Sequence, residues 1–90
     1  MLQAAAIGDD KLVREMITHG ADVEVRDPSG LTPLIRASVF DQLGAMKILL
    51  QHGARVNAPD ISGHSAMYYA TQNQDRAAVA LLQRCRAKRN

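Results

Sequence analysis

Apolar residues fall along this chain in short stripes with helical spacing, cut at regular intervals by glycine, proline and small polar residues. Met46, Leu49 and Leu50 stand at i, i+3 and i+4, one face of a helix predicted from about Leu43 to Gln51. Leu34 and Ala37 stand three apart on the core side of a shorter helix, from about Pro33 to Phe40. Thr32-Pro33 reads as its start. A threonine hydroxyl can accept from an orphan N–H there, and proline at the next position gives up a donor that has no partner anyway. Asp41 is expected to cap the second helix. Gly53 follows that helix where a left-handed residue is wanted, and His52 lies at its negative pole. Val56-Asn57 and Asp60-Ile61-Ser62-Gly63 then read as an extended turn into a helix capped by Ser65.

The pattern repeats. Shifting the chain by 33 residues lays Gly20 on Gly53, Ala21 on Ala54, Val23 on Val56 and His19 on His52. The same shift lays Asp27 on Asp60, Gly30 on Gly63, Thr32 on Ser65, Ala37 on Ala70, Ala45 on Ala78 and Leu49 on Leu82. A fixed period of this length predicts a stack of like units. An isolated helix of eight or nine residues is marginal in water, so stacking of neighbouring pairs must supply the core. Ala37 and Ala70 are small enough to permit close approach.

The run from Asp27 through Gly30-Leu31-Thr32-Pro33-Leu34 to Ser38, followed by Ile48-Leu49-Leu50-Gln51-His52-Gly53-Ala54, resembles the ankyrin repeat, and the likeness covers almost the whole chain. The resemblance implies an all-α solenoid of about two and a half to three helix-turn-helix repeats joined by short hairpin loops. It implies one domain over 1–90, with a partial repeat at 1–26, a complete one at 27–59, a third at 60–86 acting as a C-terminal cap, and a basic tail at 87–90. Gln72, Asn73, Gln74, Arg76 and Gln83 would give that cap a polar outer face. Three departures stand out. Ile35 and Tyr68 replace the histidine that the family commonly places after Thr-Pro-Leu. Asp41 and Gln74 replace the usual interhelix glycine. Gly44, inside a helix, is expected to cost about 0.5–1 kcal/mol relative to alanine.

Composition adds little to the fold but narrows the chemistry. Hydrophobic residues make up 47% of the chain, yet only three are aromatic, which suits close-packed helices better than a β-sandwich. Charged residues are 22% and the net charge is +2, unlike a disordered chain. Cys85 is the only cysteine, so neither an intramolecular disulfide nor a zinc site is expected. With no recognisable signal peptide and no long apolar run, the expected setting is a soluble cytoplasmic protein, the nucleus being the other compartment.

No catalytic arrangement emerges. His19, His52 and His64 are not at ligand or acid–base spacing, and the first two share a helix-end position. Asp9-Asp10 reads as a helix cap, Asn57 as a hairpin hydrogen-bonding residue, and Gly20, Gly30, Gly53 and Gly63 are accounted for by the repeat. The chain is therefore expected to be no enzyme, with no cofactor, metal or small-molecule substrate. Arg84, Arg86, Lys88 and Arg89 read as a solvated basic helix end; without interleaved aromatics, a nucleic-acid partner is not expected, nor is a membrane.

The expected partner is another protein. In the resembling family it usually lies on the concave face, formed by hairpin tips and first helices. Carried over, that face comprises Arg26, Pro28, Ser29 and Leu31 at one tip, and Pro59, Ile61, Ser62 and His64 at the next. The first helices contribute Ala6 and Ile7, Val39 and Phe40, then Gln72 and Asn73, with Tyr69 adjacent. Leu31, Val39, Phe40 and Ile61 would form its apolar middle, rimmed by polar residues as a binding surface is. The alternatives are a portion or subunit of a larger ankyrin scaffold, and a homodimer that covers the open first repeat.

Overall fold

Helices come in three consecutive pairs in the computed structural model of the chain, which describes residues 1–88. The first pair is α1 (Leu2–Ile7) and α2 (Asp10–Thr18), the second α3 (Pro33–Val39) and α4 (Leu43–Gln51), the third α5 (Ala66–Gln72) and α6 (Arg76–Lys88). No strand occurs among the described residues. Arg89 and Asn90 of the expected basic tail lie outside them, as do the side chains of Ala87 and Lys88.

Local chemistry explains where the helices begin. Thr32 Oγ1 accepts from Ile35 N at 3.3 Å, with Pro33 opening α3. Asp9 Oδ1 accepts from Leu12 N at 3.1 Å and Asp75 Oδ1 from Ala78 N at 3.1 Å, capping α2 and α6. The expected cap at Asp41 is corrected: Gln42 holds the N-cap position of α4, and Asp41 is the left-handed residue before it, at φ 59°. Ser65 occupies the N-cap position of α5, but its side chain makes no capping bond. Phe40 closes α3 as its C-cap rather than its last helical residue.

Asp41 has counterparts. Gly8, Asp41 and Gln74 are spaced by 33, and all three adopt positive φ, at 76°, 59° and 56°. The interhelix turn thus keeps its left-handed geometry without glycine, which strains the two L-residues by roughly 1–2 kcal/mol each. Gln74 is exposed, and its side chain makes no hydrogen bond among the described residues. Gln74→Gly is therefore expected to raise stability by about 0.5–1 kcal/mol, after the larger chain entropy of unfolded glycine is subtracted. Urea denaturation measures this; an unchanged or lower midpoint would mean that the turn is unstrained.

The pairs stack into two layers. α3 packs between α1 and α5, and α4 between α2 and α6. Ala4, Ala37 and Ala70, spaced by 33, are all buried and let the first helices approach closely. The second helices are joined by buried Leu49 and Leu82, with half-buried Met16 in the equivalent place. Ile35, where the family's histidine would sit, is instead a buried core residue. Gly44 has a use: a Cβ there would lie 2.3 Å from Asp10 Oδ2, so glycine makes room for that carboxylate. No helix among the described residues is long and apolar enough to cross a membrane.

Candidate functional site

Two hairpin tips project beyond the first helices, and an aspartate organises each. Asp27 Oδ1 accepts from Ser29 N and Leu31 N, both at 2.9 Å. Asp60 Oδ1, 33 residues later, accepts from Ser62 N and His64 N, again both at 2.9 Å. The other carboxylate oxygen is held from the following helix, by different chemistry at equivalent positions. Arg36 Nη2 donates to Asp27 Oδ2 at 2.9 Å, whereas the Tyr69 hydroxyl donates to Asp60 Oδ2. Neighbouring tips are also tied together. Ile61 N donates to Ser29 O at 3.1 Å, and the Arg26 guanidinium donates to Gly30 O and Pro59 O. Gly30 is required here: at φ 81°, a Cβ would lie 2.8 Å from Ile61 N.

These contacts set the electrostatics. Burial pushes the Asp27 carboxyl up, but the Leu31 N–H, the Arg36 guanidinium and the Ser29 N–H together hold it below its ordinary value. The Tyr69 hydroxyl does most to hold Asp60 low, against burial and with help from the His64 and Ser62 N–H groups. Reciprocally, Tyr69 is pushed up to about 12, chiefly by its bond to Asp60. The signs give a pH prediction. The lowered carboxylates contribute stability that is present above their unfolded values near pH 4 and is lost as pH falls through the lower folded values. The raised tyrosine contributes stability that is present below about pH 10 and is lost as pH rises towards 12. Tyr69→Phe is expected to cost about 1–2 kcal/mol at neutral pH. Urea titrations of both proteins should show that gap closing between pH 10 and 12; a pH-independent gap would show that the bond to Asp60 is not its source.

The expected surface residues separate into three groups. The first is open and apolar: Ile7, Phe40 and Ile61 are 61%, 57% and 78% exposed, the three most exposed large hydrophobic side chains described. Ile7 and Phe40 are 33 apart, Ile7 being the last residue of α1 and Phe40 the C-cap of α3. Pro28, Ser29, Pro59, Ser62 and Gln72 of the expected surface are also exposed. The second group is half-buried: Leu31 and Val39 pack against the core. The third is engaged in holding the scaffold. Besides Arg26 and Tyr69, the Asn73 amide donates to Ser38 O, Val39 O and Asp41 Oδ1 at 3.0–3.2 Å, bonding to the C-terminal end of α3 and the turn that follows it. Gln42 does the same one repeat earlier, donating to Ala6 O at 3.2 Å.

Tyr68 was not among the expected site residues. It is 40% exposed and stacks on His64, with ring centroids 3.8 Å apart and planes 5° from parallel. Tyr69 stands edge-on to both rings. His64 precedes the extended N-cap residue Ser65 and lies outside α5, so helical spacing gives no signal for this pair. Among the described residues, no three or more His, Cys, Asp or Glu side chains are grouped to hold a metal ion.

The whole chain, residues 1–90, matches the family model described as "Ankyrin repeats (3 copies)". The B-cell lymphoma 3 protein homolog of Mus musculus is 39% identical over 69 residues, 76% of this chain and 15% of that protein. Inversin of Danio rerio is 33% identical over 79 residues, 88% of this chain and 8% of that protein. The Arf-GAP with coiled-coil, ANK repeat and PH domain-containing protein 2 of Rattus norvegicus is 41% identical over 59 residues, 63% of this chain and 8% of that protein. The matches thus span only 8–15% of the length of these relatives.

Proposed function

Because the chain belongs to the ankyrin-repeat family, we propose that it binds a protein partner through its hairpin tips and first helices. Repeats of this family serve generally as non-catalytic protein-interaction modules. The observation that carries the finer reading is the exposure of Ile7, Phe40 and Ile61: among the described residues no other large hydrophobic side chain is so open, and all three belong to the expected surface. Where exposed large apolar groups gather into one patch, they mark a surface that contacts a partner. Pro28, Ser29, Pro59, Ser62 and Gln72 supply the polar or rigid rim, and the His64–Tyr68 pair adds a flat aromatic edge. Arg26, Tyr69 and Asn73 act indirectly, by fixing the tips and the helix end.

The test is a hydrogen-exchange footprint of the chain with a partner captured from cell lysate. Protection beyond that of the free chain is expected over residues 28–31, 39–40 and 61–64. Protection confined to α2 and α4, with both hairpins unchanged, would overturn the assignment. A second reading is self-association through the first repeat, favoured by the exposure of Leu12 and Val25 as well as Ile7. Light scattering separates the two, since a monomer at micromolar concentration excludes a stable homodimer.

A further inference from the structure

The second-helix layer carries a groove that the hairpin surface does not use. α4 contributes Lys47, Leu50 and Gln51, and α6 contributes Leu81, Arg84 and Cys85. Each set stands at i, i+3 and i+4, so each helix offers one continuous face to the groove. The cavity between them has a volume of about 360 Å³, within the size range of binding clefts. Leu50, Leu81 and Cys85 are half-buried and give it an apolar floor, while Lys47 and Arg84 are exposed. Neither cation makes an ion pair or hydrogen bond among the described residues.

Charge on these two helices has one sign. Lys47 in α4 and Arg76, Arg84, Arg86 and Lys88 in α6 are cations, and neither helix contains an Asp or Glu. Asp75, just before α6, is committed to capping Ala78 N. Of the cations, Lys47 and Arg84 line the groove and are exposed, so an apolar trough carries one cation from each helix with no acid on either helix to offset it. We infer that the groove between α4 and α6 is a second docking surface, for an acidic peptide segment bearing a leucine-sized apolar anchor. The anchor enters between Leu50 and Leu81, and carboxylates on either side meet Lys47 and Arg84. The trough holds no aromatic ring on which a nucleic-acid base could stack, and its floor favours an aliphatic side chain. The inference is independent of the hairpin surface.

The probe is a fluorescein-labelled synthetic peptide with two adjacent leucines flanked on each side by three glutamates, titrated against the full chain by anisotropy. Lys47→Glu combined with Arg84→Glu is expected to weaken binding by about tenfold or more, as is replacing the peptide's leucines with serines. Lys47→Ala with Arg84→Ala gives a milder version of the same loss, should the reversals disturb folding as seen by circular dichroism. Saturating peptide should slow alkylation of Cys85 by iodoacetamide, whereas Phe40→Asp with Ile61→Asp should leave peptide affinity unchanged. No measurable binding would overturn the inference, as would equal affinity in the folded Lys47/Arg84 variants. So would an equally tight single-stranded oligonucleotide of matched charge or anionic vesicle, because charge alone would then suffice.

Discussion

Replacing Leu49 with alanine is expected to destabilise the protein by about 2–5 kcal/mol, the usual cost of emptying a fully buried leucine site. Total stability for a chain of this length is on the order of 5–13 kcal/mol, so the change removes a large share of it. Leu49 sits in the middle helix of the second layer, packed within the continuous core, and no part of it reaches solvent. Its position makes the effect more than local. In a stack held by contacts between neighbours, the middle unit couples the outer two, so weakening it also weakens their cooperation. Urea denaturation should show a much lower midpoint and a shallower transition. Leu50→Ala, at a half-buried neighbour, should cost clearly less. Equal costs at the two positions would mean that the second-layer core is not centred on Leu49.

How much of this was legible beforehand follows from which residues act locally and which act across repeats. The 33-residue register was plain because Gly20 and Gly53, Thr32 and Ser65, Ala37 and Ala70, and Leu49 and Leu82 repeat residues whose local physical meaning is recognisable. The turn between helices was harder. An aspartate before a helix reads as a cap, and the one-position difference between Asp41 and Gln42 is decided by backbone dihedrals. The clasp on the hairpin aspartates was hidden for another reason. Arg36 and Tyr69 share no chemistry as residue types, and only folding brings each to the same carboxylate oxygen position. Gly44 looked like a loss because the carboxylate of Asp10 that fills its space comes from another helix. On the candidate surface, Phe40 and Ile61 are proposed from the family resemblance carried over onto the repeat register. The engagement of Arg26, Tyr69 and Asn73 does not follow from it, since each reaches main chain or side chain well away in sequence.

The second large effect is on binding rather than stability. Phe40 and Ile61 are mostly exposed, so Phe40→Asp with Ile61→Asp removes little from the core and should change stability by only about 0.5 kcal/mol. At an interface the same change is severe. Central apolar anchors are each worth about 2 kcal/mol or more, and an aspartate buried there without a partner adds its own desolvation cost. Together these predict a loss of about a hundredfold or more in affinity. The most direct measurement is quantitative affinity capture with mass spectrometry, run side by side on the unaltered chain and this double variant, with helical circular dichroism and melting recorded for both. The expected result is a partner retained by the unaltered chain and lost by a double variant with the same helicity and melting temperature. A folded double variant that retains the partner at the same level would contradict the assignment of binding to the hairpin tips and first helices.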